Sequence, residues 1–128
     1  MDTILRSKVI AIVDDDQSMR LGIASLLRSF GWVVRAYDSG AAFLSELDRL
    51  EICLLIADVQ MPDLDGIALV KEVATRQLAI PTVFVTAYAT QDVVNRCRRI
   101  GGAGVFSKPL DEAKLLVRVE QIVGPSSF

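Results

Sequence analysis

Apolar residues in this chain gather in short unbroken runs, and a charged or hydroxyl residue stands at the end of each. The runs are Val9-Ile10-Ala11-Ile12-Val13, Ile52-Cys53-Leu54-Leu55-Ile56-Ala57, Thr82-Val83-Phe84-Val85 and a weaker Gly104-Val105-Phe106. Each is too short for a globular helix and is bounded by polar or turn residues, which marks it as a strand. Continuous apolarity, without alternation, is what a strand carries when helices cover both faces of a parallel sheet. The residues closing the runs are Asp14 and Asp15, Asp58, Thr86 and Lys108.

Between the runs the apolar spacing becomes helical. Met19, Ile23, Leu26, Leu27 and Phe30 share a face, as do Ile67, Val70 and Ala74, and later Leu115, Leu116, Val119, Ile122 and Val123. Val93, Val94, Cys97 and Ile100 give one more helical segment an apolar side. Gly31 and Gly124 are natural helix stops. Val33 to Tyr37 supplies a second strand, Ser39 a plausible N-cap, and Ala41 to Leu50 a helix ending near Glu51. Strand and helix thus alternate five times. Short connections imply right-handed crossovers and a doubly wound α/β fold, a five-stranded parallel sheet with five helices. The strand order expected is 2-1-3-4-5, which sets the ends of strands one and three side by side at the topological switch point. Three carboxylates, Asp14, Asp15 and Asp58, would then converge where such sheets bind ligands.

Composition narrows the class. With 128 residues, 52% of them hydrophobic and 23% charged, the chain is expected to form one domain, its core running from about residue 7 to 124 and residues 125–128 a tail or the start of a linker. The net charge of −2 arises from 14 basic and 16 acidic residues without long blocks of one sign, which argues against nucleic-acid contact by this segment. Arg96, Arg98 and Arg99 form a small cluster that reads as a solvated helix face before it reads as a partner site. Cys53 and Cys97 fall in apolar patterns, two thiols packed in a reducing compartment rather than a disulfide framework. The start of the chain, Met1 to Arg6, shows no targeting pattern, and no apolar run nears the roughly 18 residues of a membrane span, so a cytoplasmic location is expected.

Crowded carboxylates repel, and a proton, a cation or a basic side chain must relieve them. All-oxygen ligands suit Mg2+, with Mn2+ able to substitute, better than zinc, and the absence of His points the same way. Lys108 can balance the remaining charge, and Thr86 offers a hydroxyl to a phosphoryl oxygen. A carboxylate in such company can attack phosphorus to give an aspartyl phosphate, and Asp58 is the best candidate. The product carries about two negative charges where one stood, enough to draw in Thr86 and shift the loop behind it. Taken singly, each residue has a plainer role. Asp14-Asp15-Asp16 could be a solvated turn capping a helix from Gln17, and Asp58, Thr86 and Lys108 ordinary strand-end or loop residues.

Four motifs in order resemble the receiver domain of two-component response regulators, and within it the branch of FixJ and its relatives. They are Val13-Asp14-Asp15-Asp16, Asp58-Val59-Gln60-Met61-Pro62-Asp63-Leu64-Asp65-Gly66, Val85-Thr86-Ala87 and Ser107-Lys108-Pro109. The resemblance spans nearly the whole chain. It implies that Asp58 accepts a phosphoryl group from a sensor histidine kinase, with Thr86 and Lys108 on the phosphoryl oxygens. It also implies Mg2+ held directly by Asp15, Asp58 and the backbone carbonyl of Gln60, with Asp14 acting largely through water, and a cis Lys108-Pro109 bond. Gln60 and Tyr88 stand where receivers tune the lifetime of the acyl phosphate. Homodimerisation through the fourth helix, fifth strand and fifth helix is a further implication. One departure stands out: the position where many receivers carry a switch Tyr or Phe holds Val105, and the aromatic, Phe106, comes one residue later. One step along a strand reverses the face, so Phe106 is expected to point away from the switch position unless Gly101-Gly102-Ala103-Gly104 shifts the register.

Three other functions are weighed against the phospho-switch. A Mg2+-dependent aspartyl phosphatase usually places its nucleophile in a first-strand Asp-x-Asp motif and adds a cap domain over the substrate; here the Asp-rich motif is followed at once by a helix and no cap insertion is present, so turnover of small phosphoesters is expected to be negligible. A flavin or nucleotide module needs a Gly-rich loop after the first strand, which is also missing. A receiver that signals by binding alone, without phosphorylation, remains open because of the displaced aromatic.

Overall fold

The computed structural model describes residues 8–125. The stretch Met1 to Arg6 and the tail Ser126-Ser127-Phe128 lie outside the described residues. Five strands alternate with five α-helices: β1 Val9–Val13, α1 Gln17–Ser29, β2 Val33–Tyr37, α2 Gly40–Glu46, β3 Ile52–Asp58, α3 Gly66–Thr75, β4 Thr82–Thr86, α4 Gln91–Arg99, β5 Gly104–Ser107 and α5 Glu112–Val123. The strands form one parallel sheet, as the alternating pattern predicts, in the expected flavodoxin-like order β2-β1-β3-β4-β5. β1 and β3 run down the middle, and all five residues of β1 and the last five of β3 are buried.

Pleating divides the core in two. Ala11, Val13, Leu55, Ala57 and Phe84 face a layer that contains Phe43, Ile67, Leu69, Val73 and Cys97 from α2, α3 and α4. Ile10, Ile12, Leu54, Ile56, Val83 and Val85 face Ile23, Leu27, Leu115 and Val119 from α1 and α5. Each layer is built on side chains with essentially no exposure, so truncating one such residue, Leu55 for example, costs about 2–5 kcal/mol.

Helix starts follow local chemistry. Asp16, Ser39, Asp65, Thr90 and Asp111 each cap a helix by accepting hydrogen bonds from backbone N–H groups of the first turn. Three expectations need correction. Phe30 is 43% exposed because it is the C-cap of α1, beyond the last turn that faces the sheet. In α3 the inward residues are Ile67, Leu69 and Val73, while Ala74 points to solvent. The segment predicted as one helix over 41–50 is an α-helix only to Glu46, and Leu47–Arg49 tighten into a 3-10 turn that buries Leu47.

Candidate functional site

The end of β1 is tied down from both sides. The Asp14 N–H donates to the Tyr37 carbonyl (3.1 Å), and the Asp14 carbonyl accepts from Arg20 Nη1 (2.9 Å). Asp14 Oδ1 accepts from the Asp16 N–H at 2.9 Å, which turns the carboxylate inward, 2% exposed. Asp15 stays exposed, and Asp16 turns away to cap α1 through Ser18 and Met19. The plain capping role and the cluster role are thus shared out among three neighbouring aspartates.

β3 brings Asp58 to the same edge. The Val59 N–H donates to the Val85 carbonyl (2.9 Å), and the Gln60 N–H donates to Asp58 Oδ1 (3.2 Å). The chain then turns through Asp63, at φ 68°, and returns so closely that the Gly66 N–H meets the Val59 carbonyl at 3.1 Å. A Cβ at Gly66 would collide with the Asp58 carbonyl oxygen, so the loop carrying Asp58 closes only with glycine there. The carboxylates of Asp14, Asp15 and Asp58 each place an oxygen within 4.8 Å of the others.

Lys108 and Thr86 complete the group. The Lys108 N–H donates to the Thr86 carbonyl (2.8 Å), and the Lys108-Pro109 peptide is cis. Lys108 Nζ lies 3.2 Å from Asp58 Oδ2 and 3.3 Å from Asp14 Oδ2, so one ammonium bridges two buried carboxylates. Burial, and then the negative charge of Asp14, push the Asp58 carboxyl up to about 6 against the pull of Lys108. Burial acts to lower the Lys108 ammonium, but Asp14 and Asp58 outweigh it and hold the group above its ordinary range. The site is therefore short of positive charge even with Lys108 in place. Its donors are all hard oxygens, a set that fits Mg2+ or Mn2+.

Thr86 is fully buried, and its hydroxyl donates to Gln60 Oε1 at 2.5 Å while accepting from the Tyr88 N–H at 3.0 Å. Tyr88 itself is 69% exposed. β5 pairs with β4 as Phe84↔Val105, Val85↔Phe106 and Thr86↔Ser107, without a bulge. Val105 packs with the Phe84 and Cys97 layer, and Phe106 with the Val83 and Leu115 layer. By strand alternation Thr86 belongs to the face of Phe84 and Val105, so the aromatic lies on the opposite side of the sheet, as expected from its position.

Two contacts were not foreseen in the sequence: the bond from the Thr86 hydroxyl to Gln60 Oε1, and the Arg20 bond to the Asp14 carbonyl. The spacing of Arg20, one turn into α1 from its Asp16 cap, was a usable signal for the second. Nothing local signalled the first, which joins residues 26 apart.

Residues 10–120 match the family model of the response regulator receiver domain, and the chain belongs to that family. It is a receiver domain of the signalling proteins of two-component systems. Among curated relatives, the transcriptional regulatory protein FixJ of Bradyrhizobium diazoefficiens is 31% identical over 114 residues, covering 89% of this chain and 56% of the relative. The response regulator protein TmoT of Ectopseudomonas mendocina is 32% identical over 111 residues, covering 87% of this chain and 50% of the relative. The chain thus spans about half the length of these relatives. Among solved structures, the chemotaxis protein CheY4 of Vibrio cholerae superposes with a TM-score of 0.84 at 23% identity, covering 91% of this chain and 98% of that one. The structure titled FixJ-N does so with a TM-score of 0.83 at 23% identity, over 92% and 94% of the two chains. Both show the fold. Among the described residues no helix is long and apolar enough to cross a membrane.

Proposed function

We propose that this receiver domain takes a phosphoryl group onto Asp58 from the phosphohistidine of a sensor histidine kinase, in a Mg2+-dependent reaction. The carrying observation is the convergence of Asp14, Asp15 and Asp58 oxygens within 4.8 Å, with Lys108 Nζ bridging two of them. Asp15, Asp58 and the Gln60 carbonyl would hold the ion directly, and Asp14 through water. Bound there, Mg2+ supplies positive charge to the phosphoryl oxygens during transfer. A carboxylate oxygen of Asp58 attacks phosphorus, the bond to the histidine nitrogen breaks, and the nitrogen keeps the electron pair. Lys108 is already within reach of Asp58 and balances charge building on the equatorial oxygens. The Gly66 turn and the Val59 backbone bond hold the nucleophile in place, so most of the rate enhancement comes from positioning.

The added charge then recruits the Thr86 hydroxyl and moves the β4–α4 segment, altering the surface seen by a partner. We read residues 1–128 as one receiver domain, acting in the cytoplasm and controlling transcription where an effector domain follows in the native protein. The face of α4, β5 and α5 is the place for a dimer contact. Apart from the transfer and slow loss of its own phosphoryl group, the domain is not an enzyme. Signalling by binding alone is the second reading, and it draws on Phe106 facing away from Thr86.

Incubation with Mg2+ and acetyl phosphate, followed by intact-mass measurement, tests the proposal. The expected result is a gain of one phosphoryl group that chelation abolishes, with negligible turnover of small phosphoesters. No gain with any donor or metal leaves the binding-only reading. Multiple-turnover hydrolysis would instead identify a phosphatase.

A further inference from the structure

The hydroxyl of Thr86 has a single proton, and in this structure that proton is already committed. Thr86 is wholly buried and accepts a hydrogen bond from the Tyr88 N–H at 3.0 Å. Its own proton therefore needs an acceptor, and Gln60 Oε1 sits 2.5 Å away. Only the carbonyl end of the Gln60 amide satisfies both partners, since the amide nitrogen would leave the hydroxyl proton without an acceptor. Gln60 is exposed and projects from the loop directly after Asp58, so its side chain spans from the end of β3 to the end of β4. Asp58 and Thr86 end these two neighbouring strands, with Asp58 registered opposite Val85.

We propose that the Gln60 side chain is a positioning residue that holds the Thr86 hydroxyl in the resting state and competes with the phosphoryl group for its proton. The inference rests on the phosphoacceptor reading and deepens it. Phosphorylation exchanges one acceptor for another, Gln60 Oε1 for a phosphoryl oxygen. The hydroxyl can serve the second only by leaving the first. The resting state is favoured by the net worth of one part-buried hydrogen bond, and any anion on Asp58 must overcome it. The Gln60 backbone carbonyl and N–H take no part in the latch and are unchanged by substitution of the side chain.

Beryllofluoride, a tetrahedral phosphoryl mimic that adds to carboxylates, provides the test. It is titrated into the full chain with Mg2+ while the fluorine resonance of the bound mimic is followed, a readout common to every variant, and the Thr86 methyl resonance is recorded wherever Thr86 is present. Gln60→Met keeps length and removes the acceptor, and should tighten beryllofluoride binding by about 3- to 10-fold. The Thr86 methyl resonance of the unliganded chain should also shift. In a Thr86→Val background the effect of Gln60→Met should vanish, and in a Thr86→Ser background, where the hydroxyl is kept, it should return. Unchanged affinity in Gln60→Met, or a gain of the same size in the Thr86→Val background, overturns the latch while leaving Asp58 as acceptor. No Mg2+-dependent binding by the unaltered chain overturns the phosphoacceptor reading, and the latch with it.

Discussion

The carboxyl ends of β1, β3 and β4 and the edge strand β5 belong to one sheet, yet they are built under different rules. At the first, Asp14, Asp58 and Thr86 are at most 5% exposed, and each is gripped by backbone hydrogen bonds and by a neighbour's side chain. At the second, no residue of β5 is fully buried, and the strand is entered through glycines. Buried charge tolerates few arrangements, because each carboxylate left without a partner costs free energy. A half-buried strand edge tolerates many. The carboxylate edge is thus narrowly specified, whereas β5 is free to carry its aromatic on either face, as the Val105-Phe106 pair illustrates.

The contrast breaks most visibly at Lys108. Lys108→Ala removes the ammonium that bridges Asp14 and Asp58 and should slow phosphoryl uptake from acetyl phosphate about 100-fold, read by the time course of intact mass. A second test compares two glycines. Gly66→Ala drives a Cβ into the Asp58 backbone and should cost about 2–3 kcal/mol in urea unfolding. Gly104→Ala meets only the rim of Phe106 and the Arg118 side chain, and should cost under about 1 kcal/mol. Equal costs at the two positions would erase the distinction between the regions.

Smaller effects sharpen it. Phe106→Ala removes packing against the α5 layer and should cost about 1–2 kcal/mol, yet leave the rate of phosphoryl uptake unchanged because the ring faces away from Thr86. The smallest effect concerns pH. The folded state raises the Asp58 carboxyl to about 6, so ionising it carries a stability cost that is absent below about pH 4, builds up between about 4 and 6 and is complete above that. Asp58→Asn cannot ionise. In urea unfolding it should be more stable than the unaltered chain at pH 8, by about 1 kcal/mol after allowing for solvent screening and the lost Lys108 contact, and the difference should shrink towards pH 4.

Much of this was legible in the residues themselves. Continuous apolar runs identified the buried strands and alternation the doubly wound class; with the flavodoxin-like order chosen within that class, Asp14, Asp15 and Asp58 fall at one edge. Pleat parity alone put Phe106 on the far face. What escaped the sequence shares a physical cause: it depends on side-chain directions in segments without a period. Phe30 falls on the helical stripe of α1 but lies past the last turn, where the stripe no longer faces the sheet. Leu47 is buried by a 3-10 turn that a helical period cannot tell from an α-helix. Gln60 sits in a loop, where no periodicity says whether a side chain reaches back to Thr86 or out to water.

The central claim is that Asp58 is the nucleophile, and one measurement addresses that residue alone. After reaction with acetyl phosphate and Mg2+, borohydride reduction of the acyl phosphate followed by peptide mass mapping should find homoserine at position 58 and at no other aspartate. Conversion at Asp14 or Asp15 instead, or a phosphoryl gain that persists in Asp58→Asn, would contradict the account.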